Sequence, residues 1–422
     1  MADRFLYKTK SVCPVCLKKI YADIVSRDGG IYMDKSCAEH SSFSTLIWAD
    51  SAENYLRWLE YGGMDVNGLP QNEEEADKAT GGKGFACEAC QLPASSALMT
   101  TNRCNMNCPV CFTRDKNEPL HEPSLEECKA LMKRYKELAG DDALIEFCGG
   151  EPTVRKDICD LTNAARTIGF DYIQLNTNGI ELAKNKDLAR ALRFCGLTTV
   201  YLGFDGMSDK PYYAKYGKPM LDIKKKAVEN CANAGLAVVL VCCVIPGEND
   251  GELGQIIEYA KQNMPTVKGV YLQPISYFGI YPHDKVRRIT IPDVIRRLDE
   301  QCGDISARDF GPGAYDHAQC SFNACYMLGK DGRLKALTRF SKREREENAV
   351  HRLRKNMRAT WMPSQNKMLT VGGMAFQDNS NIDLMRVQRC SIQIIQRDGR
   401  MIPLCSKYLS SCDGHKIFDG IG

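Results

Sequence analysis

The sequence predicts an α/β fold: a partial (β/α)6 TIM-like barrel with an N-terminal metal-knuckle region and a C-terminal cysteine-containing extension. Three observations predict it. Strand-like apolar runs recur at 95–101, 143–148, 172–176, 198–204, 237–245 and 269–274, with helical stretches between them, the pattern of a parallel sheet with helices outside. Polar and glycine residues stand where those runs end, at Gly149-Gly150-Glu151, Asn176-Thr177-Asn178, Asp205-Gly206, Pro246-Gly247 and Gln273, and a parallel barrel carries its chemistry at the C-terminal strand ends. Cysteine pairs lie before the first run and beyond the last, and a triplet follows the first run. The chain then divides into 1–50, the knuckle region; 51–94, a linker with a cysteine pair; 95–303, the barrel; and 304–422, the extension.

Taken in order, Cys13-Pro-Val-Cys16 and Cys37-Ala-Glu-His40 are joined by a hairpin around 27–30, and two such knuckles suit a tetrahedral site for zinc or a single iron. Either His40 or a later cysteine completes it. Tyr55, Leu56, Trp58 and Leu59 share one side of a helix over 51–65 that Gly62-Gly63 ends. Residues 66–84, acidic and then glycine-rich, read as a linker. Cys87-Glu-Ala-Cys90 follows as a pair for an auxiliary cluster or for the N-terminal metal. Ser124-Leu-Glu-Glu127 has the form of a capping box opening the first barrel helix. Cys148, Cys242 and Cys243 sit in apolar strands and read as small buried hydrophobes. The mixed charges of 339–358 read as a solvated helix. Near the end, an Asp398-Gly399 turn brings the strands carrying Cys390 and Cys405 together. With Cys87 and Cys90 they make a four-cysteine set for an auxiliary [4Fe-4S] cluster, in which Cys320, Cys325 or Cys412 could replace a member.

Composition excludes some classes. Lys and Arg number 56 against 53 Asp and Glu, for a formal charge of +3, so nothing global favours nucleic acid or an anionic membrane. The first residues lack the apolar stretch of a signal peptide, and the longest apolar run, 236–245, is too short to span a bilayer. The expectation is a cytoplasmic protein without a membrane span. Twenty-one cysteines in such a chain point to metal binding rather than disulfides.

Cys104, Cys108 and Cys111 stand in C-x-x-x-C-x-x-C spacing directly after the first strand. Three thiolates from one loop can hold three irons of a cubane, which leaves the fourth iron open to an amine and a carboxylate. S-adenosylmethionine offers that pair. This loop, Phe112 after it and Gly149-Gly150-Glu151-Pro152 resemble the radical S-adenosylmethionine (SAM) superfamily. The resemblance implies a [4Fe-4S] cluster with an open iron on Cys104, Cys108 and Cys111. It places Gly149, Gly150 and Glu151 at the methionyl amino group, and Asn176, Thr177, Asn178, Asp205 and Gln273 toward the rest of the cofactor or the substrate.

The opening Cys-Pro-Val-Cys, the Lys-Ser-Cys-Ala-Glu-His, the 290–295 helix start and the closing Asp-Gly-Arg-Met-Ile-Pro-Leu-Cys resemble the tetraether lipid synthase and pterin methyltransferase-like branch. Where that branch is expected to carry further cysteines, this chain has Tyr315, Asp316 and Gly373-Met374-Ala375-Phe376, which makes it a divergent member with fewer auxiliary clusters. The implied activity is reductive cleavage of SAM to a radical for C–H activation or carbon–carbon bond formation on a small-molecule or lipid-like substrate. An external electron donor of flavodoxin or ferredoxin type is implied with it. Transfer of a 3-amino-3-carboxypropyl group and a non-enzymatic Fe–S or zinc scaffold are the alternatives.

Overall fold

The structure, a computed structural model, describes residues 3–80, 93–113, 120–279, 287–313, 316–340, 342, 349–412 and 414–417. It contains two sheets. The first is antiparallel, in the order β1 (Arg4–Val12), β2 (Lys19–Arg27), β3 (Gly30–Ser36) and β4 (Ser42–Trp48). Asp28 and Gly29 take φ of 50° and 76° between β2 and β3, the left-handed pair that suits the twist of a two-residue hairpin. Alternate residues Tyr7, Ile24, Ile31, Met33 and Trp48 are buried with Tyr55, Trp58 and Leu59 of the helix Ala52–Tyr61. Ser51 caps that helix, accepting from the Asn54 N–H, and Gly62 ends it.

The second sheet takes in β5 (Ser95–Thr101), β6 (Ile145–Gly149), β7 (Ile173–Thr177), β8 (Thr199–Gly203), β9 (Ala237–Val244), β10 (Val267–Pro274), β11 (Gly311–Pro312), β12 (Ser321–Leu328), β13 (Leu334–Ala336), β14 (Met368–Met374), β15 (Ile392–Ile395) and β16 (Met401–Pro403). All six barrel strands read from the sequence are present, pairing in order and in parallel from β5 to β10. Two further parallel strands flank these six. β15 adds in parallel to β5 and β14 in parallel to β10, so eight strands run parallel. Both come from the C-terminal extension and reach their places without a strand–helix–strand unit, so the alternation that reveals the others does not reveal them. The ordered path ends at β11 and β16, and among the described residues no ladder joins β14 to β15.

Period-2 alternation sorts the barrel strands into two faces. Ile145, Phe147, Leu175, Leu202, Leu240 and Leu272 belong to the core under the helices. Glu146, Cys148, Asn176, Tyr201, Cys243 and Tyr271 take the other face, toward the lumen, and are only partly buried. Cys242 is the buried hydrophobe expected of it. Cys148 and Cys243 are not: each follows a core-facing residue, so the pleat turns them inward, where Asn176 Nδ2 donates to Cys148 Sγ at 2.8 Å.

Two further readings change. Residues 73–80, read as linker, form the helix Glu73–Thr80, whose buried Ala76 and Thr80 pack it on β1 and on the short helix Leu384–Val387. Three glutamates fill its first turn, where they favour the helix dipole. The charged stretch ends in the helix Ala349–Trp361, whose outer face is solvated as expected but which buries Val350 and Arg354 on its inner face. Its Arg354 is fully buried, donating to Asp142 Oδ1 (2.5 Å) and to the carbonyls of Pro93, Ala94 and Ala139. Trp361 lies against Tyr201 and Tyr271 at 6.0 and 6.1 Å between ring centroids, and its carbonyl accepts from Thr199 at the start of β8. This helix therefore closes the barrel at the N-terminal strand ends and leaves the other end to the cluster loop. None of the helices among the described residues is long and apolar enough to cross a membrane.

Candidate active site and metal centres

The cysteine loop leaves β5 at Thr101 and is gripped from three neighbouring strand ends. Behind β6, the Gly150 N–H donates to the Thr101 carbonyl and the Glu151 N–H to the Arg103 carbonyl, both at 2.8 Å. Gly149 has φ of 141°, and a Cβ there would stand 2.0 Å from the Thr101 carbonyl oxygen; one on Gly150 would meet the Arg103 oxygen at 2.3 Å. Only glycine allows that approach. Behind β7, Asn178 Nδ2 donates to Asn105 Oδ1 at 2.8 Å. Past β10, Gly279 (φ 71°) passes so close that a Cβ would lie 2.4 Å from the Cys111 carbonyl oxygen. Cys104 is exposed, and Cys108 and Cys111 are half-buried. Burial, then the charges of Cys111 and Cys104, push the Cys108 thiol up to about 11, against the lowering effect of Lys215 and Lys224. A bound metal would reverse that balance.

The strand-end residues read from the sequence have distinct surroundings. The Glu151 carboxylate is buried and saturated, accepting from Thr153 N (3.1 Å) and Oγ1 (2.6 Å), Thr177 Oγ1 (2.7 Å) and Asn178 N (2.6 Å). It ties β6 to β7, leaving the Gly149 and Gly150 carbonyls as the groups that could receive an amine. Asn176 faces the lumen between Gln174 and Cys148. Asp205, fully buried, accepts from Lys215 Nζ, Tyr216 OH (both 2.7 Å) and Cys243 N (2.9 Å). Gln273 stands next to last in β10, half-buried, opposite Cys243.

Sequence reasoning missed Lys215, Tyr216 and Lys224. Lys224 is fully buried, donates to the Asn178 carbonyl at 2.6 Å and lies 4.8 Å from the Tyr216 ring centroid. Burial lowers its ammonium to about 8. Its signal was present: in Lys224-Lys225-Lys226 only the first falls on the buried stripe with Ala227, Val228 and Cys231. A buried ammonium with three donors beside Cys108 suits an anionic group at the open side of the loop.

In the first sheet, Cys13, Cys16, Cys37 and His40 come together, all four ligand atoms within 4.8 Å of one another. His40 Nδ1 is 3.4 Å from Cys37 Sγ and 3.6 Å from Cys13 Sγ. Leu17, at φ 58°, turns the first knuckle. Hydrogen bonds from His40 and the Glu39 N–H lower the Cys37 thiol, as a metal ligand requires. The donor set fits one tetrahedral ion.

A third group lies in the seam between β14 and β15. After the larger effect of burial, the charges of Cys405 and Cys320 raise the Cys390 thiol, and that of Cys320 raises the Cys405 thiol. Asp316 joins them: half-buried, with its carboxyl pushed up by desolvation, it accepts from Ser321 and Ser391. Arg386 Nε is buried there with no hydrogen-bond partner. Cys325 lies farther along β12, and Cys412 N–H donates to Pro14 O at the ribbon knuckle. Cys87 and Cys90 lie outside the described residues; just past the point where description resumes, at Pro93, the Ala94 N–H donates to the Ser391 carbonyl, next to Cys390.

Comparison with known proteins agrees with this geometry. A radical SAM superfamily profile matches residues 98–260, and one described as the HMPTM N-terminal zinc ribbon domain matches 5–49. The 7,8-dihydro-6-hydroxymethylpterin dimethyltransferase of Methanocaldococcus jannaschii is 34% identical, over 94% of this chain and 92% of its own. The chain belongs to the radical SAM superfamily, in the pterin methyltransferase-like branch. It is a radical SAM enzyme, and membership brings a [4Fe-4S] cluster and SAM, with zinc supported for the ribbon. A GTP 3′,8-cyclase of Marinobacter nauticus is 27% identical over 48% of the chain and 62% of its own length. Among solved structures, anSMEcpe with bound AdoMet and a Kp18Cys peptide superposes at a TM-score of 0.40, with 17% identity over 49% of this chain and 58% of that one. Methylornithine synthase gives 0.40, with 15% identity over 59% and 72%.

Proposed function

We propose that this radical SAM enzyme methylates or otherwise alkylates an unactivated carbon of a pterin-like nitrogen heterocycle. The observation that carries the reading is the near full-length similarity to a pterin dimethyltransferase, which spans the ribbon, the barrel and the C-terminal extension alike. The cluster site is Cys104, Cys108 and Cys111, with the Gly149 and Gly150 carbonyls receiving the methionyl amine. Bound there, the cluster and SAM supply an electron and a carbon–sulfur bond whose cleavage gives a radical able to take hydrogen from an inert C–H bond.

The protein's part is to bind, orient and exclude water. Glu151 locks β6 to β7 so that the carbonyls and Asn178 keep fixed positions under the loop. The Trp361 helix shuts the far end of the lumen. Inside, Tyr201 and Tyr271 offer aromatic faces, and Glu146, Gln174 and Asn176 form a polar edge, a combination that suits a flat, nitrogen-rich ring. Asn176, Thr177, Asp205 and Gln273 serve this lumen directly or through neighbours.

Cys13, Cys16, Cys37 and His40 hold zinc. Cys320, Cys390 and Cys405 supply three ligands of an auxiliary [4Fe-4S] cluster, and Cys87 or Cys90 the fourth. Of the replacements the sequence allows, this set takes Cys320. An external donor of flavodoxin or ferredoxin type supplies electrons, and the open iron suits the reducing cytoplasm.

Anaerobic reconstitution, reduction and product analysis test the reading. The expected nucleoside is 5′-deoxyadenosine, formed by the wild type and absent from the Cys104→Ala/Cys108→Ala/Cys111→Ala variant. Cleavage retained in that variant refutes the cluster assignment; 5′-methylthioadenosine as the product replaces the reading with carboxypropyl transfer.

A further inference from the structure

Arg386 presents a charge the fold does not otherwise balance. The residue is 5% exposed. One terminal nitrogen, Nη2, donates to the Gln319 carbonyl (3.2 Å), the Ala375 carbonyl (3.2 Å) and Cys320 Sγ (3.5 Å), while Nε has no partner. Guanidinium does not give up its proton in proteins, and a buried charge is costly unless paired. Yet no carboxylate stands at ion-pair distance among the described residues. Asp383 is the acid whose charge reaches it, but that carboxyl is bound to Thr9 Oγ1 at 2.7 Å and Met385 N at 2.9 Å, and burial raises its pKa, weakening its charge. The other charges it feels are those of Cys320 and Cys405.

We infer that Arg386 is the counter-ion of an anionic cofactor held by Cys320, Cys390 and Cys405, donates an N–H to its sulfur, and raises its reduction potential. The inference rests on the auxiliary-cluster reading above. A cubane with four thiolates carries two negative charges when oxidised and three when reduced, the added electron coming from a reduced donor and no bond breaking. A neighbouring cation favours the reduced form more, and hydrogen bonds to sulfur act in the same sense. Arg386 is thus a positioning and tuning residue. A purely structural staple between the Gln319 and Ala375 carbonyls would leave the potential unmoved.

The test uses the full chain lacking Cys104, Cys108 and Cys111, so that only the auxiliary cluster is titrated, by dithionite reduction followed by electron paramagnetic resonance. Arg386→Gln keeps donors for the two carbonyls and loses the charge. Its reduced-to-oxidised ratio at fixed poise is expected to fall at least tenfold, 59 mV for one electron, and Arg386→Lys to recover most of that. A cluster present with the ratio unchanged in Arg386→Gln overturns the tuning role. Should Arg386→Gln fail to fold, the lysine variant decides alone: a ratio within threefold of the parent supports charge as the cause, and a larger fall overturns it. If the parent holds no cubane, the auxiliary reading fails and this inference with it.

Discussion

Glu151 and Asp205 show how far a residue's type can be read without its surroundings. Both were marked by position at strand ends, and both lie there, but each carboxylate is spent on protein donors, so they act through the groups they hold. What a sequence lacks is the partner: Tyr216 and Lys215 reach Asp205 from a separate helix, Lys210–Tyr216, and no local pattern announces that. Cys104, Cys108 and Cys111 could be read together because all three lie within one loop; Cys320 entered only as one of three possible replacements, because no local spacing ties it to Cys390 or Cys405. Glu146 gives a residue-scale prediction. Burial raises its pKa despite hydrogen bonds from Ser95 and Asn176. With the folded pKa above the unfolded one, the folded state binds more protons in the window between them, so stability falls as pH rises through it. Glu146→Gln removes that loss. Urea unfolding of the apoprotein should find the variant more stable than wild type at pH 7.5 and nearly equal near pH 4; an equal gain at both would show that the carboxyl's charge is not the cause.

At the scale of elements, the sequence yields those with a short-range period and hides those placed by distant partners. The strand–helix repeats, the ribbon hairpin and the β15–β16 hairpin around Gly399 all announce themselves locally. The helix Ala349–Trp361 announced itself as a helix but not its docked face, because its surface of Arg and Lys looks solvated until the barrel base is in view. Three carbonyls and Asp142 then converge on Arg354. Replacing one partner of a buried ion pair typically costs about 3–5 kcal/mol; Asp142 keeps partial exposure and a His351 contact, which favours the lower part of that range. Arg354→Met should therefore lose about 3 kcal/mol in urea unfolding and loosen Trp361 against Tyr201 and Tyr271, visible as a change in tryptophan fluorescence. A loss under about 1 kcal/mol would mean the helix is not held by this residue.

Across the whole molecule, the two ends of the chain are built into one another. Val12, beside the first knuckle, packs in a common core with Ile382, Leu384, Val387 and Leu409. Thr9 Oγ1 bonds Asp383, Lys35 Nζ the Asn379 carbonyl, and Cys412 N–H the Pro14 carbonyl within the knuckle itself. The segment so held carries Arg386, Cys390 and Cys405. Structural metal binding is folding free energy, so the ribbon's metal stabilises a region far along the sequence as well as its own sheet. Cys37→Ser should lower the metal content of the ribbon and the unfolding temperature. It should also speed backbone hydrogen exchange in 378–412, while the strands β6 to β8, which make no ribbon contacts described above, keep their protection. Iron at the proposed seam site should be lost before iron at the proposed loop site, 104–111. Exchange in 378–412 unchanged from wild type would mean that the C-terminal segment stands without the ribbon, and that zinc there serves the first sheet alone.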